Sequence, residues 1–197
     1  MLTFSQSAEN NRVDICDRLC DILKPSRHLL EIGSGTGQHS VYMASRLPHL
    51  IWQTSELSEN LDNVSTRLEL EAPENVRHPI ELNVSLHPWP VSDCDVIYSA
   101  NTVHIMSWTH VGHLFQGVGQ TLEKGGILCL YGPYKYNGDF TTPSNQRFDQ
   151  WLKQNDPVSG IRDFEAVDRL AQDQGLFLQN DFPMPANNQL LVWKRKL

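Results

Sequence analysis

Leu29-Leu-Glu-Ile-Gly-Ser-Gly-Thr-Gly37 decides how this chain is read. His28 to Ile32 reads as a short buried strand that runs straight into three glycines at alternate positions. Gln38 to Leu47 then reads as a helix, closed by Pro48. Glycines are needed where a backbone turns tightly and where a ligand must touch bare main chain. The dinucleotide fingerprint, G-x-G-x-x-G, would place its third glycine where Gln38 stands. Here the spacing is G-x-G-x-G, with Glu31 two residues before the first glycine.

Outward from this turn, helical and strand patterns alternate. Ala8 to Leu23 has Ile15, Leu19, Ile22 and Leu23 at helical spacing, and Pro25 stops it. Strands are expected at Leu50 to Ser55, His78 to Val84, Asp95 to Ala100 and Ile127 to Tyr131. Ser58 is expected to cap a helix to about Leu70, and a helix from Val111 to Leu122 is expected to end at Lys124-Gly-Gly126. Residues 132–155, rich in Pro, Gly, Asn and Tyr, read as a long loop or lid over a substrate. Asp163 starts a helix to about Gln174. Leu176 to Phe182 and Gln189 to Lys194 have no long helix between them and so form an antiparallel hairpin. The expected fold is α/β: a mostly parallel seven-stranded sheet with that hairpin at its C-terminal end and helices on both faces, in one domain spanning residues 1–197. In such sheets ligands bind beyond the carboxyl ends of the strands. The loops after Ile32, Ser55, Asn83, Ala100 and Tyr131 are therefore the places to look.

Composition narrows the function classes. Charged residues make up 20% and hydrophobic ones 40%, as in globular proteins in water. The net charge of −7 disfavours nucleic acid, and Lys194-Arg-Lys196 is too short a basic cluster to offset it. No apolar run reaches the ~20 residues of a membrane span, and no signal peptide is read, so a cytoplasmic protein is expected. The four cysteines form no C-x-x-C pair and the histidines show no metal spacing, so no metal is expected.

The glycine spacing and its acid resemble the first motif of class I S-adenosylmethionine (SAM)-dependent methyltransferases. The resemblance implies that Glu31, Gly33, Ser34, Gly35 and Gly37 meet the cofactor, with Glu31 attracting its ammonium group. It implies that Glu56 accepts from the ribose hydroxyls, as an acceptor-only carboxylate can. Asn83 and Val84 are expected at the adenine, and Asn101 beside the cofactor after the fourth strand. More closely, Ala8-Glu-Asn-Asn-Arg12, Ile32 to His39, Trp52 to Glu56 and Asn101-Thr-Val-His-Ile-Met-Ser-Trp108 occur in order. So do Tyr131-Gly-Pro-Tyr134, Ser144-Asn145 with Phe148-Asp149, Gly160-Ile-Arg-Asp163 and Met184-Pro-Ala-Asn-Asn188. Together they resemble the methyltransferase-like family first described as domain of unknown function 938, also called methyltransferase-like 26. Glu56 and Asn83 stand where that family is expected to carry Asp.

His104 is the candidate base, because an imidazole titrates near neutrality; the other reading is a histidine that holds its loop. Asn11, Arg12, Tyr131, Tyr134, Asn145, Arg162, Asn187 and Asn188 are expected to receive a small polar substrate, with Arg12 or Arg162 gripping a carboxylate or phosphate. The simpler readings are turn chemistry for Asn187-Asn188 and a salt bridge for Arg162-Asp163. A methyltransferase needs mainly to align nucleophile, methyl carbon and sulfur. The alternative is a SAM- or S-adenosylhomocysteine (SAH)-binding protein without turnover. A nicotinamide-dependent reductase is opposed by the missing third glycine.

Overall fold

The computed structural model describes residues 2–92 and 94–197. Its main sheet has seven strands in the order β3-β2-β1-β4-β5-β10-β9. These are β1 (His28–Ile32), β2 (Ile51–Glu56), β3 (Val76–Glu81), β4 (Cys94–Ala100), β5 (Leu122–Gly132), β9 (Leu176–Met184) and β10 (Asn188–Arg195). β1 to β5 pair in parallel, while β10 runs antiparallel to both β5 and β9. The expected C-terminal hairpin is present.

Successive residues of the central strands enter opposite cores, as the period of two requires. Leu29, Val96 and Cys129 pack with Ile15 and Leu19 of α1 (Gln6–Ile22) and Met43 of α2 (Gln38–Ala44). Leu30, Ile97 and Leu128 pack with Leu114 and Phe115 of α4 (Trp108–Thr121) and Val167 of α6 (Phe164–Asp173). α3 (Leu61–Glu71) joins β2 to β3. This arrangement is the Rossmann-like methyltransferase fold. Among the described residues no helix is long and apolar enough to cross a membrane.

Several expectations need correcting. Residues 132–155 are not a long loop. They form β6 (Tyr134–Tyr136), β7 (Asp139–Phe140) and helix α5 (Pro143–Asn155), and β6 also pairs with β8 (Arg162–Asp163) in a second, three-stranded sheet. Local chemistry explains this. Asn137-Gly138 takes two positive φ values, the hairpin turn this dipeptide favours, and Thr142-Pro143 supplies a cap and a first helical residue. Ser58 does not cap α3; it begins a short 3-10 turn, and Asn60 precedes the helix. α4 begins at Trp108, capped by the Ser107 hydroxyl, and ends at Thr121. Lys124-Gly-Gly126 lies inside β5 rather than ending the helix. β3 stops at Glu81, two residues before Asn83.

Candidate functional site

β1 ends at Ile32, and the three glycines after it all take left-handed backbone angles: φ is 71° at Gly33, 57° at Gly35 and 72° at Gly37. L-residues are strained in that conformation, so glycine is favoured. Each glycine answers a different need. A Cβ on Gly33 would lie 2.6 Å from Thr102 Cγ2, and one on Gly37 3.3 Å from Arg67 Cδ. A Cβ on Gly35 would meet nothing within 4 Å. The middle of the loop therefore presents main chain to open space.

β2 holds the loop from the side. Ser34 N–H donates to the Ser55 carbonyl at 2.9 Å, and Ser55 N–H donates back to Ser34 Oγ at 3.2 Å. Glu56, at the end of β2, accepts Gly35 N–H on Oε2 and its neighbour Leu57 N–H on Oε1, both at 2.8 Å. Each carboxylate oxygen has a lone pair to spare. On the other side, Ser99 Oγ of β4 donates to the Ile32 carbonyl at 2.7 Å and lies 2.6 Å from Thr102 Oγ1. Asn101 has a left-handed backbone (φ 59°), and its N–H donates to the Tyr131 carbonyl at 2.9 Å.

Glu31 lies beneath the loop, only 2% exposed. Its Oε2 accepts from Ser40 Oγ and, at 2.8 Å, from Trp52 Nε1. Burial pushes its pKa up, against the pull of these donors. This geometry makes Glu31 an internal anchor through its Oε2. Asn83 Oδ1 is likewise occupied, accepting Ser85 N–H at 3.0 Å in a turn. Val84 is buried in the core beside Trp89 and Leu82.

The acceptor-side residues divide into two groups. Asn11 of α1 and Asn188 of β10 come near Tyr131, where both offset part of the rise that burial causes in its pKa. His39 extends this group: its Nε2 lies 2.7 Å from Asn11 Oδ1 and its Nδ1 3.2 Å from the Tyr98 hydroxyl. Burial drives the His39 pKa down to about 4, so the ring is neutral at pH 7. The result is a polar chain that runs from buried Tyr98 and His39 out to half-buried Asn11, beside Tyr131. His39, Gln38 and Arg67 were not singled out by sequence reasoning; their one signal is that Gln38-His39 directly follow Gly37.

The second group fastens loops. Arg162 donates to the carbonyls of Val103 (3.2 Å), Met106 and Val158 (2.9 Å). Its Nε and Nη2 thus fasten main chain from three places. Arg12 pairs with Glu9 and lies 4.6 Å from the Tyr42 ring centre. Asn145 Nδ2 donates to Thr141 Oγ1 (2.9 Å) and to the Asn187 carbonyl (3.0 Å), and Asn187 Nδ2 donates to Ser144 Oγ (3.1 Å). These bonds tie the β9–β10 tip to α5. Tyr134 is buried in β6, and its hydroxyl has no partner among the described residues.

His104 sits between the two groups. It is 5% exposed, its ring meets Phe148 edge-on at 5.5 Å, and a Cβ on Gly132 would lie 3.3 Å from its Nδ1. Burial, and then the charge of Arg162, lower its pKa to about 4. It is a neutral imidazole at pH 7 and a weak base.

A family model described as "Protein of unknown function (DUF938)" matches residues 2–195. Among solved structures, an O-methyltransferase family protein from Burkholderia thailandensis is similar with a TM-score of 0.77 at 15% identity, over 94% of this chain and 59% of that one. Human N-acetylserotonin methyltransferase, in complex with SAM, gives 0.75 at 14%, over 96% and 57%. An O-methyltransferase family 2 protein from Planctomyces limnophilus, in complex with apigenin, gives 0.77 at 17%, over 96% and 60%. This chain thus spans less than two thirds of each. At these identities the likeness establishes the shared fold.

Proposed function

We propose that this chain, which belongs to the family of unknown function DUF938, is a SAM-dependent methyltransferase that acts on a small polar acceptor, and that its kinship within the family is to the methyltransferase-like 26 proteins. One observation carries the reading: three left-handed glycines at alternate positions, the middle one facing open space with Glu56 on its N–H. A cradle of that kind fits a nucleoside held by main chain and a strand-end carboxylate. When bound, SAM supplies a methyl group already activated on a sulfonium.

The chain's own part is binding and alignment. The Gly33, Gly35 and Gly37 backbone and Ser34 would cradle the ligand. Glu56 would accept from the ribose with its spare lone pairs, and Asn83, Val84 and Asn101 would flank the base and the sulfur-bearing arm. Glu31 would support the loop from below rather than take the ammonium directly. Asn11, Tyr131 and Asn188 would orient the acceptor. His104, neutral at pH 7, would take a proton only from an acceptor that has already become acidic.

A second reading, SAM or SAH binding without turnover, is supported by the low basicity of His104. Isothermal titration with SAH tests both: micromolar binding is expected, and absence of heat contradicts both. Release of SAH from SAM with a panel of small hydroxyl and amine acceptors then separates them.

A further inference from the structure

The N-terminal arm, residues 3–9, is attached in an unusual way. None of residues 2–14 is buried, Phe4 is 61% exposed, and the first buried residue among those described is Ile15. The arm is held by directed bonds instead of apolar burial. A segment so held opens at low cost without unfolding the rest.

Two side chains hold it, and both also hold the glycine loop. Gln38 Oε1 accepts from Ser5 N–H at 2.6 Å and from Thr36 Oγ1 at 2.9 Å, while its Nε2 donates to Glu9 at 3.2 Å. Arg67 donates through Nη2 to the Thr3 carbonyl at 2.7 Å and through Nε to the Thr36 carbonyl at 2.6 Å; its Nη1 pairs with Glu71 at 2.7 Å. Gln38 is 4% exposed and Arg67 7%. Thr36, in the loop between Gly35 and Gly37, is thus gripped at its hydroxyl and at its carbonyl, and each grip continues into the arm. Outside the grip lies a cleft of about 340 Å³ bordered by Phe4, Gln38 and Arg67, room into which the arm can shift.

We propose that Gln38 and Arg67 are positioning residues that couple the N-terminal arm to the glycine loop, so that a ligand on the loop closes the arm and a closed arm tightens the ligand. The inference rests on the nucleoside reading above for the identity of that ligand. A loop settled on a ligand fixes both polar groups of Thr36, and with them the two side chains that the arm needs. The effect is reciprocal, because coupling between two binding equilibria has one value in both directions. Closure also seats Asn11, on the same helix, against His39 and Tyr131.

Hydrogen–deuterium exchange on the full chain, with and without SAH, tests this. In the wild type SAH should slow exchange at the Ser5 and Glu9 amides together with those of residues 34–37. Gln38→Met removes all three Gln38 bonds at similar volume. It should speed exchange at Ser5, weaken SAH about fivefold or more, and leave exchange in β4 and β5 unchanged. Thr36→Val cuts only the loop-side hydroxyl bond and should also reduce the protection that SAH gives Ser5, while Thr36→Ser retains it. Protection of the loop without protection of Ser5, or wild-type SAH affinity in Gln38→Met, overturns the coupling. If SAH does not bind the wild type, the nucleoside reading fails; the coupling is then decided in the ligand-free chain. There Gln38→Met must speed exchange at both Ser5 and Gly37, and an effect on Ser5 alone refutes it.

Discussion

The backbone N–H of Gly35 donates to Glu56 Oε2 at 2.8 Å, so the central glycine of the loop after β1 is fixed by the last residue of β2. The bond joins the two strand ends that flank the open face of the loop. It also sets the direction of a carboxylate whose remaining lone pairs are free for hydroxyl donors. Glu56→Ala should therefore loosen the loop and remove the ribose acceptor together. Loss of charge-assisted bonds worth about 1.5–3 kcal/mol predicts a fall in SAH affinity of roughly tenfold to a hundredfold, read by isothermal titration. Unchanged affinity would place the ligand elsewhere.

The glycines should separate stability from binding. Gly33→Ala adds backbone strain of about 1–2 kcal/mol and a 2.6 Å collision with Thr102, and should lower Tm by several degrees. Gly35→Ala carries similar strain without a collision, so its Tm should fall less. Its methyl group enters the ligand's space, so SAH binding should be lost. Thermal melts paired with titration check the contrast.

Two buried neutral histidines set a pH dependence. His39 and His104 titrate near 6.5 unfolded and at about 4 folded. Between these values the unfolded chain binds more protons, so their contribution to stability is full above about 6.5 and is lost as pH falls toward 4. Glu31, with its pKa raised by burial, acts in the opposite sense, its folded form holding a proton at higher pH than the unfolded one. His39→Gln should flatten the loss of denaturation midpoint between pH 6.5 and 4, as read from urea melts across that range.

Asp149 is a buried fastener for the loop beside His104. It is 4% exposed, and it accepts Ile161 N–H at 2.8 Å and Lys153 Nζ at 2.7 Å. The adjoining Gly160 N–H donates to the His104 carbonyl at 2.8 Å. Asp149→Ala strands a buried donor and should cost about 2–3 kcal/mol in denaturant unfolding. A cost below about 0.5 kcal/mol would show that the loop does not depend on it.

The main sheet was legible because the burial pattern of its strands is written in their composition, as in Leu29-Leu30 and Val96-Ile97, which face opposite cores. The glycine loop was legible because a positive φ at three alternate positions favours glycine at each. The segment after Gly132 was misread because its Pro, Gly and Asn content suggested a loop. Asn137-Gly138 in fact makes a tight hairpin turn, and Thr142-Pro143 starts a helix. The fastening role of Arg162 was not legible, because two of the three carbonyls it meets, those of Val103 and Met106, come from residues more than fifty positions earlier. The anchoring bonds of Glu31 were not legible, because Trp52, one of its donors, lies on the neighbouring strand.

A crystal structure with SAH tests the central claim most directly. It should place the nucleoside over Gly35, with ribose hydroxyls within hydrogen-bond distance of Glu56. A ligand seated away from the loop, or the space above Gly35 filled by the protein's own side chains, would contradict the account.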